Sequence, residues 1–131
     1  MDDLESLAKI VVDCGFKLHR DLGPGMLESV YEQLLAASLE RVGLTVEQQV
    51  AVPIRYDGII IDNAFRIDLL INRKLIVEIK SVEKHSPVHA KQLLTYLRLM
   101  HLPLGLLMNF GMATFKEGVS RLANDYFRPE Q

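Results

Sequence analysis

The fold is decided by residues 65–80, which read FRIDLLINRKLIVEIK. Two runs rich in Ile, Leu and Val flank the polar link 72–74, and three residues are a common length for a hairpin loop. Side chains of a strand alternate between the two faces of its sheet. The register that keeps one face of this hairpin apolar pairs Ile71 with Leu75, Leu69 with Val77 and Ile67 with Ile79. The sequence therefore predicts two antiparallel strands in that register.

The same register places Asp68 directly across from Glu78, with Cβ atoms roughly 4.5–5.5 Å apart. Like charges in this position repel each other unless a cation lies between them or one carboxylate takes a proton. Oxygen ligands without cysteine suit magnesium, with manganese as the other candidate, and they suit zinc less well. Lys80 follows on the same face, where an ammonium group could polarise a metal-bound water or neutralise charge on a phosphate. This pattern predicts a metal site.

A plainer interpretation is an exposed face of the sheet on which these charged side chains form salt bridges with Arg66. An Asp followed by Glu-x-Lys is a weak pattern when it stands alone. The hairpin by itself therefore does not exclude the exposed, salt-bridged face. However, Leu70 and Ile76 lie on the same face and indicate that it is partly covered. Partly buried charges require a partner or a function.

The rest of the chain predicts elements on both sides of this hairpin. Apolar residues at helical spacing predict helices over residues 2–22 and 26–42, the second capped by Gly43. From Thr45 to residue 61 the alternating, Val- and Ile-rich sequence predicts strands around a turn at residues 57–58. A helix follows over residues 86–100, with Ser86 as N-cap, and an apolar strand over 104–110 completes a βαβ crossover. A weaker strand is predicted over residues 114–122, and the tail after Asn124 is expected to be loosely held.

Together these elements predict the α/β class: a mixed central sheet, made of an antiparallel meander plus a βαβ crossover, flanked by helices. The length of 131 residues fits a single domain over residues 1–131. A crossover helix begins just beyond the carboxyl end of the preceding strand, where ligands of such sheets usually bind. Its polar stripe of His89, Gln92 and Tyr96 can therefore face the two carboxylates. On the second helix, Glu28 either joins this site or stabilises the helix terminus through the helix dipole.

Composition limits the partners of the chain. Its formal net charge of −2 gives no overall attraction to polyanions, so nucleic acid would have to be held by a local basic patch or through a metal ion. The acidic start and the lack of an apolar stretch of roughly 20 residues predict neither a leader nor a membrane span. The single cysteine, Cys14, agrees with a reducing compartment, and we expect a cytoplasmic protein.

Residues 25–31, GMLESVY, read Gly-x-x-Glu-x-x-Tyr, and this chain resembles the bacterial family named GxxExxY after that motif. The family is placed in the PD-(D/E)XK nuclease superfamily. The resemblance runs from about residue 22 to 121, and the order and spacing of its motifs carry it. Those motifs are QQ at 48–49, FRID at 65–68, VEIKS at 77–81, QLLTYL at 92–97 and GLLMNF at 105–110.

The resemblance implies a restriction-endonuclease-like fold and a role for each site residue. Asp68 and Glu78 would bind magnesium with the backbone carbonyl of Ile79, and Lys80 would position or activate the attacking water. Glu28 resembles the first acidic residue of the superfamily, and Gln92 the polar residue that the crossover helix adds. The proline that precedes the aspartate in the superfamily signature is replaced here by Ile67.

Two classes of function follow. The first is a magnesium-dependent nuclease that hydrolyses phosphodiester bonds of DNA or RNA. The second is a catalytically inactive module of the same fold that binds nucleic acid or a protein partner, which the acidic balance favours. A homodimer is compatible with the first class, because dimers are common among nucleases that act on duplexes.

Overall fold

The structure is a computed structural model and describes residues 3–124. Its helices are α1 (Asp3–Leu22), α2 (Glu28–Arg41), α3 (Pro87–Met100) and the short α4 (Phe115–Gly118). Its strands are β1 (Val46–Tyr56), β2 (Ile59–Ile71), β3 (Leu75–Lys80), β4 (Leu104–Asn109) and β5 (Val119–Ala123). The predicted loose tail, residues 125–131, lies outside the described residues. No helix within residues 3–124 is long and apolar enough to cross a membrane.

The strands form one five-stranded sheet in the order β1-β2-β3-β4-β5. Strands β3 and β4 are parallel and are joined by α3, whereas all other neighbours are antiparallel. The predicted α/β class, with an antiparallel meander, a βαβ crossover and flanking helices, is confirmed. Because the crossover requires both strands to run the same way, their carboxyl ends, Lys80 and Asn109, meet at one edge of the sheet.

The predicted hairpin register is confirmed where the two strands pair: Leu69 lies opposite Val77, and Ile71 opposite Leu75. The loop between them places Asn72 and Arg73 in the left-handed region, with φ of 50° and 56°. The backbone ladder ends at Leu69, so the predicted pairing of Ile67 with Ile79 is not formed. The strands separate there because β2 continues as a ribbon with β1 while β3 continues along β4.

Two apolar cores lie on opposite faces of the sheet. One is covered by α1 and α2 and includes Leu69 and Ile79, and the other is covered by α3 and includes Ile67. The prediction that Ile67 shares a face with Leu69 and Ile79 was therefore wrong. The ribbon of β1 and β2 changes faces at Gln49, whose φ of 53° breaks the strand's alternation. Val46, before this point, packs on the first core, whereas Val50, after it, packs on the second.

Other boundaries differ from the predictions in small ways. The predicted strands around residues 59–61 and 65–71 are one strand, β2. The strand predicted over residues 114–122 was wrong in its first half, because Thr114 caps the helical turn α4 by accepting a hydrogen bond from the N–H of Glu117 at 3.2 Å. The Thr114 hydroxyl also donates to the Glu117 carboxylate at 2.8 Å, which stabilises the same turn. Ser86 occupies the N-cap of α3, but its side chain makes no capping hydrogen bond.

Tyr31 fixes the loop that precedes α2. Its ring stacks on Phe110, with centroids 4.5 Å apart and planes 10° apart. Its hydroxyl donates to the carbonyl of Gly23 at 2.5 Å and accepts from the N–H of Met26 at 3.2 Å. The loop and the start of α2, where Glu28 lies, are thereby held to the end of β4.

Tyr31→Phe keeps the stacked ring and removes both hydrogen bonds. We expect it to lower the free energy of unfolding by about 1 kcal/mol in urea denaturation, since the loop is only partly buried and water can replace part of the loss. Ser29→Ala is the control, because it removes an exposed hydroxyl group of α2 and should change the free energy of unfolding by at most about 0.5 kcal/mol. Equal stability of both variants and the wild type would contradict the assigned contact.

Candidate active site

Asp68 and Glu78 face each other where β2 and β3 separate. The backbone N–H of Asp68 donates to Oε2 of Glu78 at 2.7 Å, and the N–H of Ile79 donates to Oδ2 of Asp68 at 2.8 Å. Each carboxylate thus accepts a backbone hydrogen bond from the opposite strand in place of the interrupted ladder. The structure brings together the two carboxylates that the register placed opposite each other.

Glu78 is buried, with 6% of its surface exposed. Burial and, after it, the charge of Asp68 raise the pKa of Glu78 from its ordinary 4.5 to about 8, against the opposing effects of the Asp68 N–H and of Lys80. A carboxyl group with this pKa holds a proton near neutral pH. A divalent cation between the carboxylates would remove the repulsion and favour the ionised form.

Lys80 ends β3 and lies beside Asn109 in the parallel ladder. Its carbonyl accepts from the N–H of Phe110 at 2.8 Å, which fixes the backbone, and its side chain is partly exposed. Its charge lowers the pKa of both Glu78 and His89. The ammonium group of Lys80 therefore interacts electrostatically both with Glu78 and with His89 in the first turn of α3.

The polar stripe of α3 faces the site at its two ends. Burial raises the pKa of Tyr96, and the charges of Glu78 and Asp68 raise it further. Burial also lowers the pKa of His89, with Lys80 as the next cause and Glu28 opposing it. Gln92 lies between these two residues on the helix and is exposed. Within residues 3–124 it makes no hydrogen bond to Asp68 or Glu78, so Gln92 is not joined to the carboxylates in this structure.

Glu28, the first residue of α2, is exposed as well. The N-cap of α2 is Leu27, which makes no side-chain capping hydrogen bond, so Glu28 is the acidic group of the first turn. Its charge raises the pKa of Glu32 and of His89, which places it near both. Both interpretations of Glu28, at the helix terminus and at the site, are compatible with this position.

Sequence reasoning missed Glu32, which lies one helical turn after Glu28 and is only 9% exposed. Its carboxylate accepts hydrogen bonds from Nε2 of Gln48 at 3.1 Å and from Nε2 of Gln49 at 2.8 Å. Burial raises the pKa of Glu32, opposed by the Gln48 hydrogen bond and then supported by the charge of Asp68. The signal in the sequence was the spacing of four from Glu28, which puts both on one helix face.

The donor set fits a weakly held, hard cation. Among the described residues no three His, Cys, Asp or Glu side chains gather into a ready-made metal site. Magnesium usually takes only one or two carboxylates and keeps several of its waters. Asp68 and Glu78 supply that number. Zinc, which prefers four protein ligands in structural sites and three in catalytic ones, does not fit this arrangement.

Comparison with known families identifies the class of protein. The family model of the PD-(D/E)XK nuclease superfamily matches residues 5–122, which is most of the chain. The chain therefore belongs to this superfamily, and its five-stranded mixed sheet flanked by helices is consistent with the restriction-endonuclease-like fold. Members are typically nucleases and generally use divalent metal ions. No curated protein and no solved structure matches the chain.

The raised pKa of Glu78 predicts how stability depends on pH in the metal-free protein. Between 4.5 and about 8 the folded state binds more protons than the unfolded state, so the free energy of unfolding should fall as pH rises through this interval. In Glu78→Gln the side chain at position 78 cannot ionise. We therefore expect the free energy of unfolding of this variant to fall less steeply with pH, by up to about 1.4 kcal/mol per pH unit. Urea denaturation in the presence of a chelator measures both slopes.

The control is Glu83→Gln, which removes an exposed carboxylate of the loop after β3. It should keep the slope of the wild type. Identical slopes for the wild type and Glu78→Gln would mean that Glu78 is ionised in the folded protein throughout this interval, against the assignment.

Proposed function

We propose that this chain is a magnesium-dependent nuclease that hydrolyses phosphodiester bonds of DNA or RNA, with manganese as an alternative cation. The observation that carries the proposal is the pair of carboxylates, Asp68 and Glu78, held together across two separating strands beside Lys80. This pair lies in a chain of a superfamily whose members are typically nucleases. Membership of the narrower GxxExxY family, and one nuclease domain over residues 1–131, are part of the same proposal.

In this proposal Asp68, Glu78 and the carbonyl of Ile79 hold the metal ion. The ion, when bound, lowers the pKa of a water molecule and polarises the phosphate. Lys80 places a positive charge next to the carboxylates, where it would orient the attacking water and neutralise charge on the reacting phosphate. Glu28 and Gln92, which are both exposed, would bind waters or the substrate backbone.

The partner that fits this site is nucleic acid bound through few phosphates. The net charge of −2 offers no general attraction. Positive charge near the carboxylates comes from Lys80 and, further out on β2, from the exposed Arg66. We expect binding to depend on the metal ion more than on a basic surface. A cytoplasmic location stays a prediction.

The second candidate is a non-catalytic module that binds nucleic acid or a protein partner. One observation favours it, which is the acidic balance of the chain. It predicts no cleavage of any substrate and no rise in melting temperature with magnesium. The two functions are therefore separated by the experiment below.

The cleavage experiment uses single- and double-stranded DNA and RNA with magnesium, with manganese and with a chelator. We expect cleavage only with a divalent metal, and a loss of about 100-fold or more in each of Asp68→Ala, Glu78→Ala and Lys80→Ala. The matched controls Asp13→Ala, Glu83→Ala and Lys84→Ala remove exposed residues of the same types outside the site and should keep wild-type activity. Activity that survives all three site substitutions would rule out this site as its source.

We also propose that the chain forms a homodimer through the hairpin tip, defined as residues 55–62, which are the end of β1, the turn and the start of β2. The tip exposes Tyr56 and three consecutive isoleucines, Ile59 to Ile61, each more than half exposed. It also carries the exposed, opposite charges Arg55 and Asp62, which two copies could pair across a twofold axis. Apolar patches of this kind mark interaction surfaces.

Light scattering tests the dimer. The wild type should have twice the monomer mass of 14.9 kDa, and Ile60→Asp should return it to a monomer. Phe16→Asp is the control, since it places the same charge on another exposed apolar side chain, on α1. A wild type that stays monomeric at all concentrations would contradict this proposal without affecting the nuclease proposal.

A further inference from the structure

Gln49 has a backbone conformation that is unusual for a strand. Its φ of 53° lies in the left-handed region, although it is not a glycine and lies in the middle of β1. In a regular strand, the side chains of Gln48 and Gln49 would point to opposite faces of the sheet. Here both amides donate to the same carboxylate, that of Glu32. The positive φ is what turns the Gln49 amide toward Glu32.

The Gln49 amide joins two carboxylates at once. Its Nε2 donates to Oε1 of Glu32 at 2.8 Å and to Oδ1 of Asp68 at 3.2 Å, which uses both hydrogens of the NH₂ group. The other oxygen of Asp68 accepts from the N–H of Ile79. Both oxygens of Asp68 are therefore held by donors from different strands, and its carboxylate has a fixed orientation.

Glu32 needs these donors because it is buried and, within residues 3–124, forms no ion pair with a lysine or arginine. Buried carboxylates require hydrogen bonds. Gln48 contacts Glu32 alone, whereas Gln49 contacts both acids. A strained residue persists where its surroundings hold it in place, and such residues cluster at functional sites.

We propose that Gln49 is a positioning residue of the metal site: its amide ties the buried Glu32 of α2 to Asp68 and fixes the orientation in which Asp68 meets a divalent cation. This inference rests on the proposed function only in taking magnesium as that cation. The proposal also gives a reason for the face change of the ribbon. The positive φ at Gln49, where β1 passes from one core to the other, also directs the Gln49 amide between the carboxylates of Glu32 and Asp68.

Calorimetric titration with magnesium tests the role in four proteins: wild type, Gln49→Gly, Gln49→Ala and Gln48→Ala. We expect about 10- to 100-fold weaker binding in both Gln49 variants, the range typical for loss of a group that orients a metal ligand. Gln48→Ala is the matched control and should lose much less magnesium affinity, because it leaves the hydrogen bond from Gln49 to Asp68 in place. Wild-type affinity in both Gln49 variants would overturn the proposal.

Glycine separates positioning from backbone strain. Glycine adopts positive φ without a steric penalty, so Gln49→Gly should melt at or above the temperature of Gln49→Ala. If Gln49 only shaped the backbone, Gln49→Gly would bind magnesium like the wild type, and that result would also overturn the proposal. Equally weak binding in the glycine and alanine variants, despite the difference in stability, supports positioning.

Hydrogen exchange of the Ile79 amide gives a readout that needs no metal. This N–H is bonded to Asp68, so releasing Asp68 from Gln49 should speed its exchange several-fold in both Gln49 variants but not in Gln48→Ala. If the wild type binds no magnesium, the proposed function fails while this measurement still decides the orientation of Asp68. Unchanged exchange of Ile79 in both Gln49 variants would overturn the proposal.

Discussion

The site depends on one exchange of hydrogen bonds between β2 and β3. Where the backbone ladder ends, the carboxylate of Glu78 accepts the N–H of Asp68, and the carboxylate of Asp68 accepts the N–H of Ile79. The two strands can separate at this point because these carboxyl groups accept hydrogen bonds from backbone N–H groups that no longer pair with the opposite strand. As a result, two carboxyl groups lie close together, and one of them is buried. Their repulsion favours either a proton on one of them or a cation between them.

The same point is where the ribbon of β1 and β2 crosses from one face of the sheet to the other. Before it the ribbon packs under α1 and α2, and after it under α3. Both helical layers therefore approach the carboxylates, α2 with Glu32 and α3 with Tyr96. The site lies between two cores because the chain has to change sides there. Strain at Gln49 and the burial of charge are local costs that the cores on either side offset.

Much of the fold was predictable from the sequence, because it depends on the alternation and spacing of apolar residues. The pairing of Leu69 with Val77 and the βαβ crossover follow from patterns that one strand or one helix displays by itself. The face change at Ile67 did not follow, since it coincides with a positive φ at Gln49 on the neighbouring strand, and glutamine gives no sign of that conformation. Glu32 was missed because its burial depends on two glutamines of β1, a tertiary contact. The turn α4 was missed although Thr114 and Glu117 have the spacing of a helix cap.

We propose that Asp68 and Glu78 form a cation site in which the metal replaces a proton. Calorimetric magnesium titration in two buffers of different ionisation enthalpy measures the protons released on binding. Since the pKa of Glu78 is about 8 without metal, binding at neutral pH should release close to one proton, and binding well above that pKa should release none. Glu78→Gln should release none at either pH and bind more weakly. Magnesium binding of equal strength in Glu78→Gln, or binding at neutral pH without proton release, would rule out a site in which the metal replaces the proton of Glu78.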